Sequence, residues 1–266
     1  MKPPVTAQPW AGLRAHTAAR IGLGRAGASL PTAAHLAFQQ AHADARDAVH
    51  LPLDAAPLLA GLRALGEAPV AVASRALDRS TYLQRPDLGR RLSEASVQAL
   101  AALAAAPVDL AFVLADGLSA LALQRQALPL FQALRERLVA QGGWTWAPPV
   151  LATQARVALG DEVGALLQAR CVLVLIGERP GLSAPDSLGV YFTWAPRVGR
   201  VDAERNCLSN VRPEGMPHDA AAAKLHSLLT EARRRQLTGV NLKDEQDDRA
   251  LPRATTSPDL MRRLTG

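Results

Sequence analysis

The sequence predicts an α/β protein, a parallel sheet flanked by helices, preceded by a mostly helical or extended amino-terminal region. Three observations lead there. The apolar runs 110–115 and 171–176 are unbroken rather than alternating, as strands covered on both faces must be. Such runs are separated by helix-length segments in strand–helix–strand order, the pattern of a parallel sheet. Aromatic residues make up only 4% of the chain while Ala and Leu are abundant, which favours helices packed on a sheet over an all-β sandwich.

Each element has its own warrant. The first 20 residues carry four prolines or glycines around Trp10 and read as extended. Pro31 opens a helix over 32–47, with Leu36, Phe38 and Val49 expected on its inner side. A short strand is expected over 69–74. Ser93 is placed to cap a helix that runs to 106. A strand over 108–115 then delivers the loop Asp116-Gly117-Leu118-Ser119. A long helix follows to about 140 and stops at Gly142-Gly143. Residues 149–157 read as the next strand, and 161–169 as a helix with an acidic first turn. The strand at 171–176, another over 188–194 and a helix over 218–236 complete the order. Residues 1–68 are taken as the amino-terminal region and 69–243 as the α/β domain. The charged, then Pro/Ser/Thr-rich stretch 244–266 is taken as a mobile tail.

Composition narrows the function. The 266 residues are 48% hydrophobic and 20% charged, with a formal charge of +6. The arginines are spread along the chain. Arg90-Arg91 and Arg233-Arg234-Arg235 cluster, and both fit helix ends or exposed faces, so no nucleic-acid partner is expected. No signal sequence and no stretch of about 18 apolar residues is present, so no membrane partner is expected either and the expectation is a cytoplasmic protein. Two cysteines make neither a disulfide framework nor a zinc site. Cys171 belongs to a core strand, and Cys207 is read in a polar loop. The six histidines show no metal spacing, and His35 and His42 are read as surface residues.

The most informative segment is the loop that ends the 171–176 strand, Gly177-Glu178-Arg179-Pro180-Gly181. In open α/β sheets ligands sit outside the carboxyl ends of strands, and Glu178 stands there. Its carboxylate could accept hydrogen bonds from a ligand, or pair with Arg179 and hold the loop. Asp116 occupies a similar place, as a ligand group, a solvated acid or a helix cap. Gly22, Gly24 and Gly27 match the dinucleotide fingerprint by letter. No convincing strand precedes them and no acid follows about 20 residues later on a second strand, so that chemistry is not assigned. No Gly-x-Ser-x-Gly elbow exists, and no catalytic constellation is visible in the chain by itself.

Six segments in order carry a family resemblance: Ala19-Arg-Ile-Gly-Leu-Gly-Arg-Ala-Gly27, Leu83-Gln-Arg-Pro-Asp-Leu-Gly-Arg-Arg-Leu92, Ala115-Asp-Gly-Leu-Ser-Ala120, Ile176-Gly-Glu-Arg-Pro-Gly-Leu-Ser183, Asp186-Ser-Leu-Gly189 and Arg205-Asn-Cys-Leu-Ser-Asn210. Together they closely resemble the small (light-chain) subunit of ethanolamine ammonia-lyase, over residues 18–244. The resemblance implies a Rossmann-like domain and adenosylcobalamin as cofactor, held between this chain and a large catalytic subunit. It also implies a complex that converts ethanolamine to acetaldehyde and ammonia by radical migration of the amine, with this chain inactive alone. Family positions that touch cobalamin match Val157, Glu178 and Cys207. No catalytic residue and no metal ligand is expected in this chain. The absence of Asp-x-His-x-x-Gly agrees, since this family keeps the cofactor's own base on cobalt. Members packaged in bacterial microcompartments can carry an amphipathic amino-terminal helix, and residues 1–17, with three prolines, do not read as one. The segment from Arg85 to Arg91 is the expected partner face. A scaffold that stabilises the large subunit without touching cofactor is the alternative.

Overall fold

A computed structural model of the chain describes residues 5–103 and 106–243. The expected tail, 244–266, and residues 104–105 at the end of an expected helix lie outside them. Six strands form one sheet in the order β1-β3-β2-β4-β5-β6: β1 Val70–Ala73, β2 Val108–Ala115, β3 Val150–Thr153, β4 Ala169–Gly177, β5 Leu188–Trp194 and β6 Asn206–Val211. The first four strands in that order are mutually parallel. The last two join antiparallel, β5 through a ten-residue return from Gly177 and β6 through a second return. A parallel connection needs a crossover of a dozen or more residues, and these returns have no α-helix to provide it. The fold is therefore α/β as expected, with an antiparallel flap added on one side.

The helices cover both faces. In chain order they are α1 Thr32–His50, α2 Ala55–Ala64, α3 Arg79–Gln84, α4 Glu94–Ala101, α5 Ala120–Gln141, α6 Leu159–Leu166 and α7 His218–Arg235. On one face Leu110, Phe112, Leu114, Leu173 and Leu175 pack beneath Leu123, Leu130 and Phe131 of α5, Leu58 and Leu62 of α2, and Leu225 and Leu229 of α7. On the other, Val113, Val150, Val172 and Val174 pack beneath Leu159 and Val163 of α6 and Leu100 of α4. From Leu110 to Ala115, β2 alternates between the two cores residue by residue, which is why that run is continuously apolar.

Several expectations change. Pro9–Ala15 is a 3-10 helix rather than extended chain. α1 forms where expected but buries Ala41 and Ala48, while Leu36 and Phe38 are exposed; small residues make its contact side. α2, capped by Asp54, was not foreseen because Pro57 and Gly61 interrupt its pattern, and α3, a single polar turn capped by Asp78, has none. β3 ends at Thr153, so Val157 lies in the turn that opens α6 rather than in the strand. Cys207 is on edge strand β6 rather than in a loop. Gly22 and Gly24 keep positive φ because a Cβ there would meet the backbone of Ala11 and Thr6 at 2.8 Å; these glycines pack on the amino-terminal segment, and the next helix begins only at Thr32.

Candidate functional site

β2 leads into α5 on one face and β3 into α6 on the other, so the carboxyl ends of these adjacent strands diverge. That divergence is where an open sheet makes a crevice. Here Asp116 fills it. The buried carboxylate accepts from the Gln154 amide at 2.9 Å and the Ala155 amide at 3.0 Å, with the Arg79 guanidinium 3.8 Å away. Burial pushes the Asp116 carboxyl up, against those amides and Arg79. Asp116 is thus neither a solvated acid nor a helix cap: it ties two strand ends, and Ser119 is the residue that caps α5.

The open space lies one strand over. Glu178, half-buried just past β4, receives three internal hydrogen bonds: Ser187 Oγ and Ser209 Oγ, each at 2.5 Å, and the Asn210 amide at 3.2 Å. Gly189 makes room for it, since a Cβ there would stand 3.0 Å from Glu178 Oε1. One carboxylate therefore joins the end of β4, the lead into β5 and the middle of β6. An ionised carboxylate has about four acceptor sites, so about one remains for a ligand donor. Glu178 does not pair with Arg179, whose exposed guanidinium has no hydrogen bond or ion pair among the described residues.

A cavity of about 390 Å³ opens beside Glu178, lined among others by Val157, Arg156, Tyr82, Arg179 and Tyr191. Val157 and Glu178 are thus brought together. Cys207 sits directly across from Tyr191 in the β5–β6 register, so it borders the cavity through that residue rather than lining it. Burial raises the Cys207 thiol, the Tyr191 hydroxyl lowers it, and the Glu178 charge raises it again; the net is upward. A thiol shifted that way is a poor nucleophile at neutral pH, which suits a contact residue. Cys171, in the core, is pushed up to about 12 by burial. A larger groove, about 600 Å³ around Arg137, Gln141 and His226, lies at the far end of α5, away from these loops.

Arg156 and Tyr82 were missed by the sequence reading. Arg156 lies 4.2 Å over the Tyr82 ring, donates from Nη2 to the Tyr82 carbonyl at 3.2 Å, and keeps a buried Nε with no partner. The segment from Arg85 to Arg91 borders this corner, since the Gly89 carbonyl accepts from the Arg156 amide at 2.8 Å. Among the described residues no cluster of His, Cys, Asp and Glu could hold a metal ion, and no helix is long and apolar enough to cross a membrane.

The family model described as ethanolamine ammonia-lyase light chain (EutC) matches residues 7–243. The chain belongs to that family. Among curated relatives it is 60% identical over 258 residues to the ethanolamine ammonia-lyase small subunit of Azotobacter vinelandii, covering 96% of this chain and 95% of that one. The same-named protein of Pseudomonas aeruginosa is 59% identical over 246 residues, 91% and 90% of the two chains, and that of Xanthomonas campestris 59% over 251 residues, 93% and 92%. The ethanolamine ammonia-lyase light chain is a component of a lyase, and its match spans the whole α/β sheet together with nearly all of the described amino-terminal region. The small-subunit motifs at Glu178 and Cys207 fall on the two strands that Glu178 stitches together, and the amino-terminal motif reaches the same loop: Arg20 donates to the Leu182 carbonyl at 3.1 Å and to Ser183 Oγ at 3.3 Å.

Proposed function

We propose that this chain covers adenosylcobalamin against a large catalytic subunit in an ethanolamine ammonia-lyase, with Val157, Glu178 and Cys207 among the cofactor contacts. The observation that carries the reading is the convergence of Val157 and Glu178 on one cavity at a strand end, with Cys207 behind Tyr191 on the same rim. The residues suit a cobalamin. Glu178 retains about one acceptor site for an amide N–H of the corrin periphery; Val157 offers an apolar surface; Arg156 offers a buried, unpartnered donor. When bound, the cofactor supplies the radical chemistry by which the amine of ethanolamine migrates and leaves as ammonia, giving acetaldehyde. This chain's own part is binding and exclusion of water. Glu178, the acid among the described residues of the cavity wall, is engaged by Ser187, Ser209 and Asn210 rather than left free to move a proton.

The test is acetaldehyde formation from ethanolamine and adenosylcobalamin with the large subunit alone, this chain alone and both together. Activity only in the mixture is the expected result; two chains that neither bind nor react would overturn the reading. One observation favours the scaffold alternative, namely that Glu178 is already tied to Ser187, Ser209 and Asn210. The two readings part on Glu178→Ala. A lost charged hydrogen bond to the cofactor is worth about 1.5–3 kcal/mol, so the cofactor concentration for half-maximal activity rises about tenfold or more. Ser209→Ala, which removes only an internal bond, leaves that concentration within about twofold by the same arithmetic. If both variants leave it unchanged while lowering thermal stability, Glu178 is a structural tie and the scaffold reading stands.

A further inference from the structure

The cavity beside Glu178 is cationic beyond the single donor already named. Arg156 and Arg179 both line it. Neither has a carboxylate partner among the described residues, although most arginines packed into the fold have one: Arg205 with Asp161, Arg91 with Glu162, Arg212 with Asp186, Arg135 with Glu67. The acid in the cavity wall, Glu178, has its oxygens turned to Ser187, Ser209 and Asn210. A second guanidinium, Arg79, lies 4.8 Å over the same Tyr82 ring that Arg156 covers at 4.2 Å. Its own compensating acid, Asp116, is 3.8 Å away and occupied by two backbone amides. Each of the two arginines on Tyr82 keeps one buried nitrogen without a partner, Nη2 of Arg79 and Nε of Arg156. Burying donors unpartnered is costly, and a guanidinium recognises phosphate oxygens through paired, charge-assisted hydrogen bonds.

Arg156 is also held in place rather than free to swing away. Its amide is bonded to the Gly89 carbonyl at 2.8 Å, and a Cβ on Gly89 would stand 3.0 Å from both Arg156 Cγ and the Tyr82 ring. A pre-positioned guanidinium loses less side-chain freedom when it binds, which is how a built site differs from a passing surface charge. Cobalamin has one anionic group, the phosphodiester that links its nucleotide loop to the corrin. We propose that Arg156, assisted by Arg179, receives that phosphodiester, so that the small subunit distinguishes complete cobalamins from corrinoids that lack the nucleotide loop. The inference rests on the cofactor reading above.

The experiment measures binding of two probes to the assembled two-subunit enzyme by equilibrium dialysis: cyanocobalamin, and dicyanocobinamide, which lacks the nucleotide loop and its phosphate. Arg156→Met is expected to weaken cyanocobalamin at least tenfold while changing dicyanocobinamide by less than twofold. Arg156→Lys, which keeps the charge but loses the planar fork, is expected to fall between. Arg179→Met serves as the variant that spares the fold, because that exposed side chain has no hydrogen bond or ion pair among the described residues, and its loss is likewise expected to be confined to cyanocobalamin. Equal loss for both probes in the arginine variants would overturn the assignment, as would no loss for either. A wild-type complex that binds neither probe would overturn the cofactor reading itself, an outcome distinct from a complex that binds both without discriminating.

Discussion

Arg205→Met is expected to destabilise the protein by about 3–5 kcal/mol, read as a drop in the chemical-denaturation midpoint, because it strands a buried carboxylate. Arg205 and Asp161 are both almost fully buried and meet through two parallel hydrogen bonds of 2.7 and 2.6 Å. The same guanidinium donates to Thr193 Oγ1 at 3.0 Å and to the Arg200 carbonyl at 3.0 Å. It thereby fastens the first turn of α6 to β5 and to the residue that enters β6. Burial pushes the Asp161 carboxyl up even while Arg205 draws it back, and without Arg205 the largest opposing influence on burial is gone. The pH dependence follows from that sign. An acid whose folded pKa is raised above its unfolded value imposes a penalty that accrues as pH rises from the unfolded pKa, about 3.9, through the folded one. The deficit of Arg205→Met is therefore expected to be larger at pH 8 than at pH 5. Asp161→Leu combined with Arg205→Met removes both charges and is expected to recover most of the loss, as replaced buried pairs commonly do. A deficit independent of pH, or a double variant no better than the single, would show that the cost comes from lost packing.

This pair also matters for function, since Val157 lies four residues before Asp161 and Cys207 two residues after Arg205. The proposed cofactor contacts in the turn before α6 and on β6 are positioned by a bond that neither of them makes.

How much of this was legible before the structure depends on where the information resides. β2, β4 and β5 were readable because burial on both faces writes itself as a largely apolar run, unbroken over 110–115 in β2 and 171–176 in β4. β6 was not. It is an edge strand whose burial pattern puts only Leu208 and Val211 fully inside, so its polar letters read as a loop. The antiparallel entry of β5 is set by the compact loop between Gly177 and Leu188, a turn whose geometry hydrophobic periodicity does not encode. Glu178 was visible because an acid between glycine and an Arg-Pro-Gly run at a strand end is unusual locally. Arg156 was invisible for the opposite reason: its significance depends on Tyr82, 74 positions away in sequence, and on nitrogens left unpaired by the fold. Asp161 and Glu162 were read as complementing the dipole of α6; both instead spend their charge on distant arginines, Asp161 on Arg205 and Glu162 on Arg91.

Gly177→Ala is the second substitution with a large expected effect, and it connects the core to the cavity. Gly177 ends β4 where the loop after β2 crosses it. A Cβ there would stand 2.0 Å from the Ser119 carbonyl oxygen and 2.6 Å from that of Asp116. The opposing residue, Gly117, has φ +55°, and a Cβ on it would stand 2.3 Å from the Gly177 carbonyl oxygen. Two backbones thus pass with no side chain between them, joined by the Leu118 amide donating to that carbonyl at 2.9 Å. Neither backbone can yield cheaply. One is anchored by the α5 cap at Ser119 and by Asp116 bonded to Gln154 and Ala155, the other by the register of β4 between β2 and β5. Overpacking of this kind costs about 1–3 kcal/mol or more, which for a chain of this size corresponds to a fall in Tm of about 2–4 °C per kcal/mol. Any relaxation must displace Gly177 or Gly117, and both border the cavity with Glu178. Gly177→Ala is therefore expected to lower both Tm and cofactor binding. Gly181→Ala, where the nearest atom to a new Cβ is 3.8 Å away, is expected to change neither, and a Gly177→Ala protein that melts with the wild type would refute the close crossing.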